Sequence, residues 1–192
     1  MKLFSAIYNW TLKWAEHKFA PSILALLTFA ESVFFPIPPD VLLAPMVLAK
    51  PEKAWRFASL TTVSSILGGT VGYFLGYWMF EPWIQPLITN FGYQARFDIA
   101  LSWFSEWGVW VVFIAGFSPI PYKLFTVSAG FLQMAFLPFL LASAIGRGLR
   151  FFLVAGLIKW GGSAMEKSLR KWVDVLGWGL VALIIIAYFI LR

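Results

Sequence analysis

The sequence predicts an all-α membrane protein, an inverted repeat with two opposed re-entrant hairpins, about three full transmembrane helices and amphipathic interfacial helices. Of its 192 residues, 60% are hydrophobic and 12% are charged, whereas about a quarter of the residues in a soluble domain are charged. A proline phrase occurs twice, as FFPIPPD at 34–40 and FSPIPYK at 117–123, at an offset of 83 residues. Length and composition fit a single membrane domain of residues 1–192. Its five apolar blocks are 20–49, 55–79, 107–133, 135–160 and 172–191.

The N-terminal segment 1–18 is predicted to be an interfacial helix. Leu3, Ile7, Trp10 and Trp14 recur at helical spacing, and the basic residues stand elsewhere, as in helices that lie on a bilayer surface. A soluble amphipathic helix that caps the bundle is the alternative.

The blocks 55–79, 135–160 and 172–191 are predicted transmembrane helices. Each has about the 20 apolar residues that cross a bilayer, and none has a proline pair in its middle. Segment 81–106 is too polar to span, and its tryptophans suit the aromatic belt of a membrane. We predict that this segment lies along the outer surface; a plain connector within the bundle is the alternative.

The blocks 20–49 and 107–133 differ from the others because prolines lie near their middle. Proline removes an amide donor and pushes the preceding residue out of helical geometry. The resulting extended backbone is tolerated in a bilayer only where protein buries it or where it lines a wet cavity. Each block is therefore either a broken spanning helix or a re-entrant hairpin. The helix-breaking residues are Pro36, Pro38 and Pro39 in the first block and Pro119 and Pro121 in the second.

Loop charges favour the two hairpins. Segment 50–56 carries a net charge of +2 and segment 159–171 one of +3, whereas segment 81–106 carries −2. With re-entrant hairpins, the N-terminus and both basic segments lie in the cytoplasm and 81–106 lies outside, in agreement with the positive-inside rule. The two hairpins then enter from opposite faces, and their broken segments meet near the midplane.

Charged residues inside the apolar blocks are the candidate site residues, because ionisable groups are costly within a bilayer. Away from the block ends the five candidates are Glu31, Asp40, Lys123, Arg147 and Arg150; Asp174 lies near the start of the last block. Two acids and three bases leave one surplus positive charge, which suits a monoanionic phosphate group, and guanidinium groups match phosphate oxygens. Asp40 and Lys123 occupy equivalent places in the two phrases and are candidate partners across a shared cavity. Alternatively, the charges only pair to hold helices together.

Two details of spacing refine these roles. Ser143, Arg147 and Arg150 fall on one face of a helix, which we expect to turn towards the protein interior. Glu31 and Asp40 flank the first proline phrase, a position suited to proton-linked movement.

The composition argues against several other functions. His17 is the single histidine and cysteine is absent, so we expect neither a His- or Cys-based metal site nor a cofactor. Lys and Arg form no basic stripe, so nucleic acid is not an expected partner. The protein is not expected to be an enzyme; a carboxylate enzyme with Glu31 and Asp40 as acid and base is the alternative.

The two proline phrases also carry a family resemblance. Residues 31–46, ESVFFPIPPDVLLAPM, resemble the first signature of the DedA family of membrane proteins, which share a core with the VTT-domain lipid scramblases. Residues 116–134, GFSPIPYKLFTVSAGFLQM, are similar to the second signature, with Ala129, Gly130 and Met134 in its closing positions. The resemblance is nearest to the YqaA-like branch and runs over roughly residues 20–190.

The second signature departs from the family pattern. Typical members open it with an arginine and carry another several residues later. Here Gly116 or Phe117 holds the first place, and Lys123 stands near the second. We hypothesise that Arg147 and Arg150 supply the missing charge.

The resemblance implies two opposed re-entrant hairpins and a flippase or scramblase for a phosphate-bearing lipid, such as polyprenyl phosphate or phospholipid. Glu31 and Asp40 are then the proton-linked acids, and Lys123, Arg147 and Arg150 bind the headgroup. A bacterial inner membrane is the expected location. Transport of small ions or solutes and a non-transport assembly role are the alternatives, and the oligomeric state is left open.

Overall fold

The computed structural model describes residue 17 and residues 19–35, 37–92, 94–118 and 121–190. At 81, 84, 87, 96, 100, 163 and 165–190 it describes the backbone alone. The predicted interfacial helix at 1–18 lies outside the described residues apart from His17, as do Pro36 and Pro119.

The described part of the chain is helical and contains no strand. A 3₁₀ turn (Pro51–Lys53) precedes the third helix and a π-helical turn (Phe80–Ile84) follows it. The helices are α1 (Ala20–Val33), α2 (Asp40–Ala49), α3 (Ala54–Met79), α4 (Gln85–Asn90), α5 (Gln94–Phe117), α6 (Tyr122–Phe131) and α7 (Phe136–Ile190). Gly162, with φ 58° and ψ −150°, interrupts α7, a conformation that glycine adopts at little steric cost.

Both proline phrases lie between two helices. The first break, residues 34–39, separates α1 from α2, and the second break, residues 118–121, separates α5 from α6. Pro39 and Pro121 stand immediately before the helices that follow. The first amide hydrogens of a helix have no partner within the helix. Proline, which has no amide hydrogen, therefore suits this position.

Three helices are long and apolar enough to cross a membrane: Pro51–Met79, Phe97–Phe117 and Phe136–Gly162. The first and third coincide with predicted spans. The second crosses the predicted boundary between the surface segment 81–106 and the block 107–133, because α5 continues through residues 106 and 107 without interruption. Between Phe97 and Phe117 the only charged residues are Asp98 and Glu106, so this part of the helix is apolar enough to span. The predicted span 172–191 follows Gly162, and side chains there lie outside the described set.

Helix α3 lies at the centre of the bundle and packs against α1, α6 and α7. Helix α5 packs on α7, and α2 also packs on α7. The contact of α3 with α6 is one of backbone against backbone: a Cβ at Gly130 would collide with the carbonyl oxygen of Tyr73, and one at Gly76 with that of Val127. Small residues permit such close approach.

The core consists of two apolar clusters separated by a polar belt. One cluster includes Leu24, Leu43, Phe57 and Phe151, and the other includes Tyr73, Val112, Tyr122 and Phe139. Between them along α3 and α7 lie buried polar side chains, which with those of α1 and α6 form the polar belt. Its members are Thr28, Ser32, Thr61, Ser64, Ser65, Thr126, Ser143 and Arg147. A polar layer halfway along a membrane bundle is costly and therefore marks the place to look for a site.

Candidate functional site

Arg147 is the charged member of the polar belt, and only 3% of its side chain is exposed. Its Nη2 lies 2.8 Å from Glu31 Oε2, and its Nε donates to Ser65 Oγ at 2.5 Å. The guanidinium carbon lies 4.8 Å from the ring centroid of Tyr122 and 4.6 Å from that of Phe151. An ion pair, a hydroxyl and two aromatic faces together compensate for the loss of water around this cation.

A chain of hydroxyls extends the Glu31–Arg147 pair. Ser65 Oγ lies 2.9 Å from Ser32 Oγ, which also donates to Glu31 Oε2 at 3.3 Å. Helices α1, α3 and α7 thus meet through a closed set of polar contacts. Because each group in the set has a partner, the pair is held in one geometry.

Arg150 forms a second ion pair one turn further along α7. Its Nη2 lies 2.6 Å from Asp40 Oδ2, and its Nη1 donates to the carbonyl oxygen of Ser118 at 2.5 Å. Arg150 and Asp40 are 13% and 18% exposed. This pair is therefore more accessible than the Glu31–Arg147 pair, and it joins the start of α2 to the second break.

Cations also cap the helix ends at both breaks. Lys123 Nζ donates to the carbonyl oxygens of Phe35 at 3.0 Å and Phe34 at 3.3 Å, just past the end of α1. Arg150 does the same for Ser118, just past the end of α5. The last carbonyls of a helix lack intrahelical partners and carry partial negative charge, so a cation stabilises them.

Three buried polar atoms around the Asp40–Arg150 pair have no hydrogen-bond partner among the described residues: Asp40 Oδ1, Arg150 Nε and Ser118 Oγ. They comprise an acceptor, a donor and a hydroxyl that can act as either. A ligand that carries several oxygens, at least one of them protonated, would satisfy all three. Tyr122 and Ser143 likewise have hydroxyls without partners near Arg147.

The structure brings the five sequence-predicted charges together, but with a different pairing from the one that the repeated phrase suggested. Asp40 pairs with Arg150 rather than with Lys123, whose ammonium group reaches the first break instead. The reason is that α2 packs on α7, which places Asp40 beside that helix. Arg147 and Arg150 share a face of α7, as their spacing predicted, and each meets a different acid.

Sequence reasoning missed Ser32, Ser65, Tyr122 and Ser118. Serines and a tyrosine in apolar helices carry no pattern that separates a site residue from a packing residue. Ser118 lies inside the second proline phrase, which could have drawn attention to it. No group of His, Cys, Asp and Glu side chains that could hold a metal ion occurs in the part of the chain that was described.

Comparison with known proteins places this geometry in context. The model of the VTT domain matches residues 12–159. A protein of Haemophilus influenzae is 47% identical over 192 residues, the full length of both chains. Undecaprenyl phosphate transporter A of Bacillus subtilis is 26% identical over 88 residues, 43% of this chain and 44% of that one. The transporter of the same name from Staphylococcus aureus is 26% identical over 137 residues, 67% of this chain and 68% of that one. No solved structure matches the chain.

Proposed function

The chain belongs to the VTT-domain, or DedA, family, and from that membership we propose that it moves a phosphate-bearing lipid across the membrane as a flippase or scramblase. The family and the two transporter-named relatives point to membrane transport rather than to an enzyme. By their names, those relatives carry undecaprenyl phosphate. A polyprenyl phosphate or a phospholipid is therefore the proposed cargo.

The observation that carries the proposal is the partly exposed Asp40–Arg150 pair with its three unpartnered atoms. A guanidinium Nε and a serine hydroxyl are suitable donors to phosphate oxygens. Asp40 Oδ1 can accept a hydrogen bond from a protonated phosphate oxygen. Lys123, which contacts the first break, contributes a third cation to the same region.

The packing pattern supports an inverted repeat. Helices α1 and α5, which precede the breaks, pack on α3 and α7 respectively. Helices α2 and α6, which follow the breaks, each pack on the long helix of the other half. We infer that the two breaks are the tips of re-entrant hairpins that enter from opposite faces of a bacterial inner membrane, with the N-terminus in the cytoplasm.

In this mechanism the two ion pairs have different tasks. The Glu31–Arg147 pair is enclosed and holds α1, α3 and α7 together, so Arg147 acts on the headgroup through its charge. The Asp40–Arg150 pair is the more exposed of the two, at 18% and 13%, and a headgroup that reaches Arg150 competes with Asp40 for it. Protonation of Asp40 would weaken the pair and free Arg150, which would link lipid movement to protons.

Reconstitution into vesicles tests the proposal. The purified chain should move fluorescent phospholipid or polyprenyl phosphate between leaflets, measured by accessibility to a membrane-impermeant quencher, with and without a pH gradient. Ser118→Ala should slow movement and Ser118→Thr, which keeps the hydroxyl, should not. Movement no faster than in protein-free vesicles, across several lipids and both gradient conditions, would contradict the proposal.

The pairing of both arginines favours a second candidate, a membrane assembly factor in which the charges only hold helices together. Exchanging the two charges, Asp40→Arg with Arg150→Asp, distinguishes the candidates. An assembly factor should keep its fold and its function, because the pair is restored. A transporter should keep its fold and lose lipid movement. Ion flux that needs no anionic lipid would instead indicate a small-ion or solute transporter.

A further inference from the structure

An aromatic cluster lies at the end of the molecule where α3 begins. The Trp55 ring stacks on the Phe152 ring, with centroids 5.9 Å apart and 14° between the ring planes. The Trp160 ring contacts the Trp55 ring edge-on, with centroids 5.8 Å apart. Lys159 Nζ lies 5.1 Å from the centroid of the Trp55 ring, within the range of a cation–π contact. We call these four residues the aromatic shelf.

The aromatic shelf is ordered and yet exposed. Trp55 is 37% exposed, Phe152 38% and Trp160 76%. Rings that stack on one another and remain accessible offer a rigid surface to a partner. Exposed apolar side chains are ordinary on a membrane bundle, so the features that distinguish the aromatic shelf are its stacked rings and the cation held over one of them.

Basic residues that form no ion pair within the described part of the chain lie around the shelf. Lys53 and Arg56 flank Trp55 in the chain and are exposed, and Lys159 lies over its ring. Neither these three residues nor Glu52 takes part in an ion pair among the described residues. The cluster therefore presents positive charge beside aromatic faces, which complements an anion that carries apolar groups.

The position of the shelf identifies the kind of anion. Trp55 lies in the first turns of the span Pro51–Met79, and Trp160 lies near the last residue of the span Phe136–Gly162. The shelf thus stands where two spans leave the membrane at the same end. At this depth tryptophan rings lie among the glycerol and ester groups of lipids, and basic side chains reach the phosphates.

We propose that the aromatic shelf, with Lys53 and Arg56, binds the headgroup of an anionic phospholipid of the surrounding bilayer, at a site separate from the polar belt. Lys159 is held over Trp55 and is therefore positioned before the lipid arrives, while Arg56 can bind a phosphate in a bidentate manner. Phosphatidylglycerol satisfies both requirements, since its phosphate has one negative charge and its acyl chains are apolar. The site does not depend on whether the protein transports lipid.

Native mass spectrometry of the detergent-solubilised full chain, titrated with phosphatidylglycerol, tests this site. The wild type should bind phosphatidylglycerol more tightly than phosphatidylcholine. Lys159→Gln and Arg56→Gln should each lower the affinity about fivefold, because each basic residue near a membrane surface contributes about 1 kcal/mol to anionic lipid binding. Trp55→Leu should also weaken binding.

Two control residues are available: one on α3, the helix of Trp55, and one in the 3₁₀ turn that contains Lys53. Trp78 is an exposed tryptophan near the other end of α3, 67% exposed, so Trp78→Leu should leave the affinity unchanged. Glu52→Gln should leave it unchanged or raise it. Equal binding of phosphatidylcholine, or wild-type affinity in the Lys159→Gln and Arg56→Gln variants, would overturn the proposal.

The proposal would also be overturned if protein, rather than lipid, covered the aromatic shelf. The chain has no cysteine, so a Lys53→Cys variant carries a single thiol. Disulfide-linked dimers of this variant in vesicles would show that a second copy covers the shelf. Protection of the thiol from a maleimide reagent in lipid-free detergent would show that another part of the same chain covers it. Ready modification in detergent and slower modification in phosphatidylglycerol vesicles are the results that support lipid binding.

Discussion

The first and second breaks use the same backbone device and opposite chemistry. Each interrupts a helical segment at prolines and leaves carbonyl oxygens that a cation caps. The first break is flanked by two acids, Glu31 and Asp40, whereas the second begins with the neutral Ser118 and is followed by the basic Lys123. Both arginines that pair with the acids come from α7, in the second half of the chain. The acids and cations of the site are thus divided between the halves, and only the assembled bundle contains both signs.

The largest expected effect comes from removing the acid of the enclosed pair. Glu31→Ala leaves the Arg147 guanidinium, only 3% exposed, without its carboxylate partner. Breaking a buried pair in this way costs about 3–5 kcal/mol, so the free energy of unfolding should fall by that amount, measured by denaturant unfolding in detergent. Glu31→Gln retains a hydrogen-bond acceptor and should cost less. Wild-type stability of Glu31→Ala would show that the pair does not hold the helices together.

An intermediate effect, on transport rather than on stability, is expected at the accessible pair. Arg150→Ala should slow lipid movement by at least about tenfold, since a hydrogen bond to a charged group contributes about 1.5–3 kcal/mol. Arg150→Lys keeps the charge but loses the two-pronged guanidinium group, so its transport rate should lie between those of Arg150→Ala and the wild type. Arg147→Ala should instead reduce the yield of folded protein. Normal expression and wild-type transport in both alanine variants would refute the idea that these arginines supply the charge missing from the second signature.

The smallest expected effect concerns the cap on the first break. Lys123→Met removes the ammonium group that contacts the carbonyls of Phe34 and Phe35. A cation at a helix C-terminus contributes about 0.3–1 kcal/mol, so unfolding should occur at slightly lower denaturant. Lys123→Arg should preserve the cap. A loss of transport in Lys123→Met with unchanged stability would indicate that this residue binds the headgroup, as proposed for Arg150, rather than capping the backbone.

Much of the fold follows from local properties of the sequence. Proline geometry predicted where the helices are interrupted, and apolar length predicted the spans at 55–79 and 135–160. The helix Phe97–Phe117, which is long and apolar enough to cross a membrane, was not predicted, because the polar residues of 81–106 suggested a surface segment that ends before residue 107. Helix spacing alone put Arg147 and Arg150 on one face.

The pairing within the site could not be predicted from the sequence. The offset of 83 residues relates Asp40 to Lys123, but which charges meet depends on which helices pack together. Helix α2 lies against α7, and because of that tertiary contact Asp40 forms its ion pair with Arg150. The hydroxyls of Ser65 and Tyr122 depend on the same packing, and nothing in their local sequence distinguishes them from other buried residues.

The backbones of α3 and α6 lie in contact at Gly76 and Gly130, where even a Cβ would collide with a carbonyl oxygen of the other helix, so we expect the two helices to move as one unit. Helix α2 contacts α7 through side chains instead, and side chains can change rotamer while the helix axes shift. We therefore expect any opening of the bundle to begin at α2. The Asp40–Arg150 ion pair would then hold the bundle closed, and α3 and α6 would stay fixed while α2 moves.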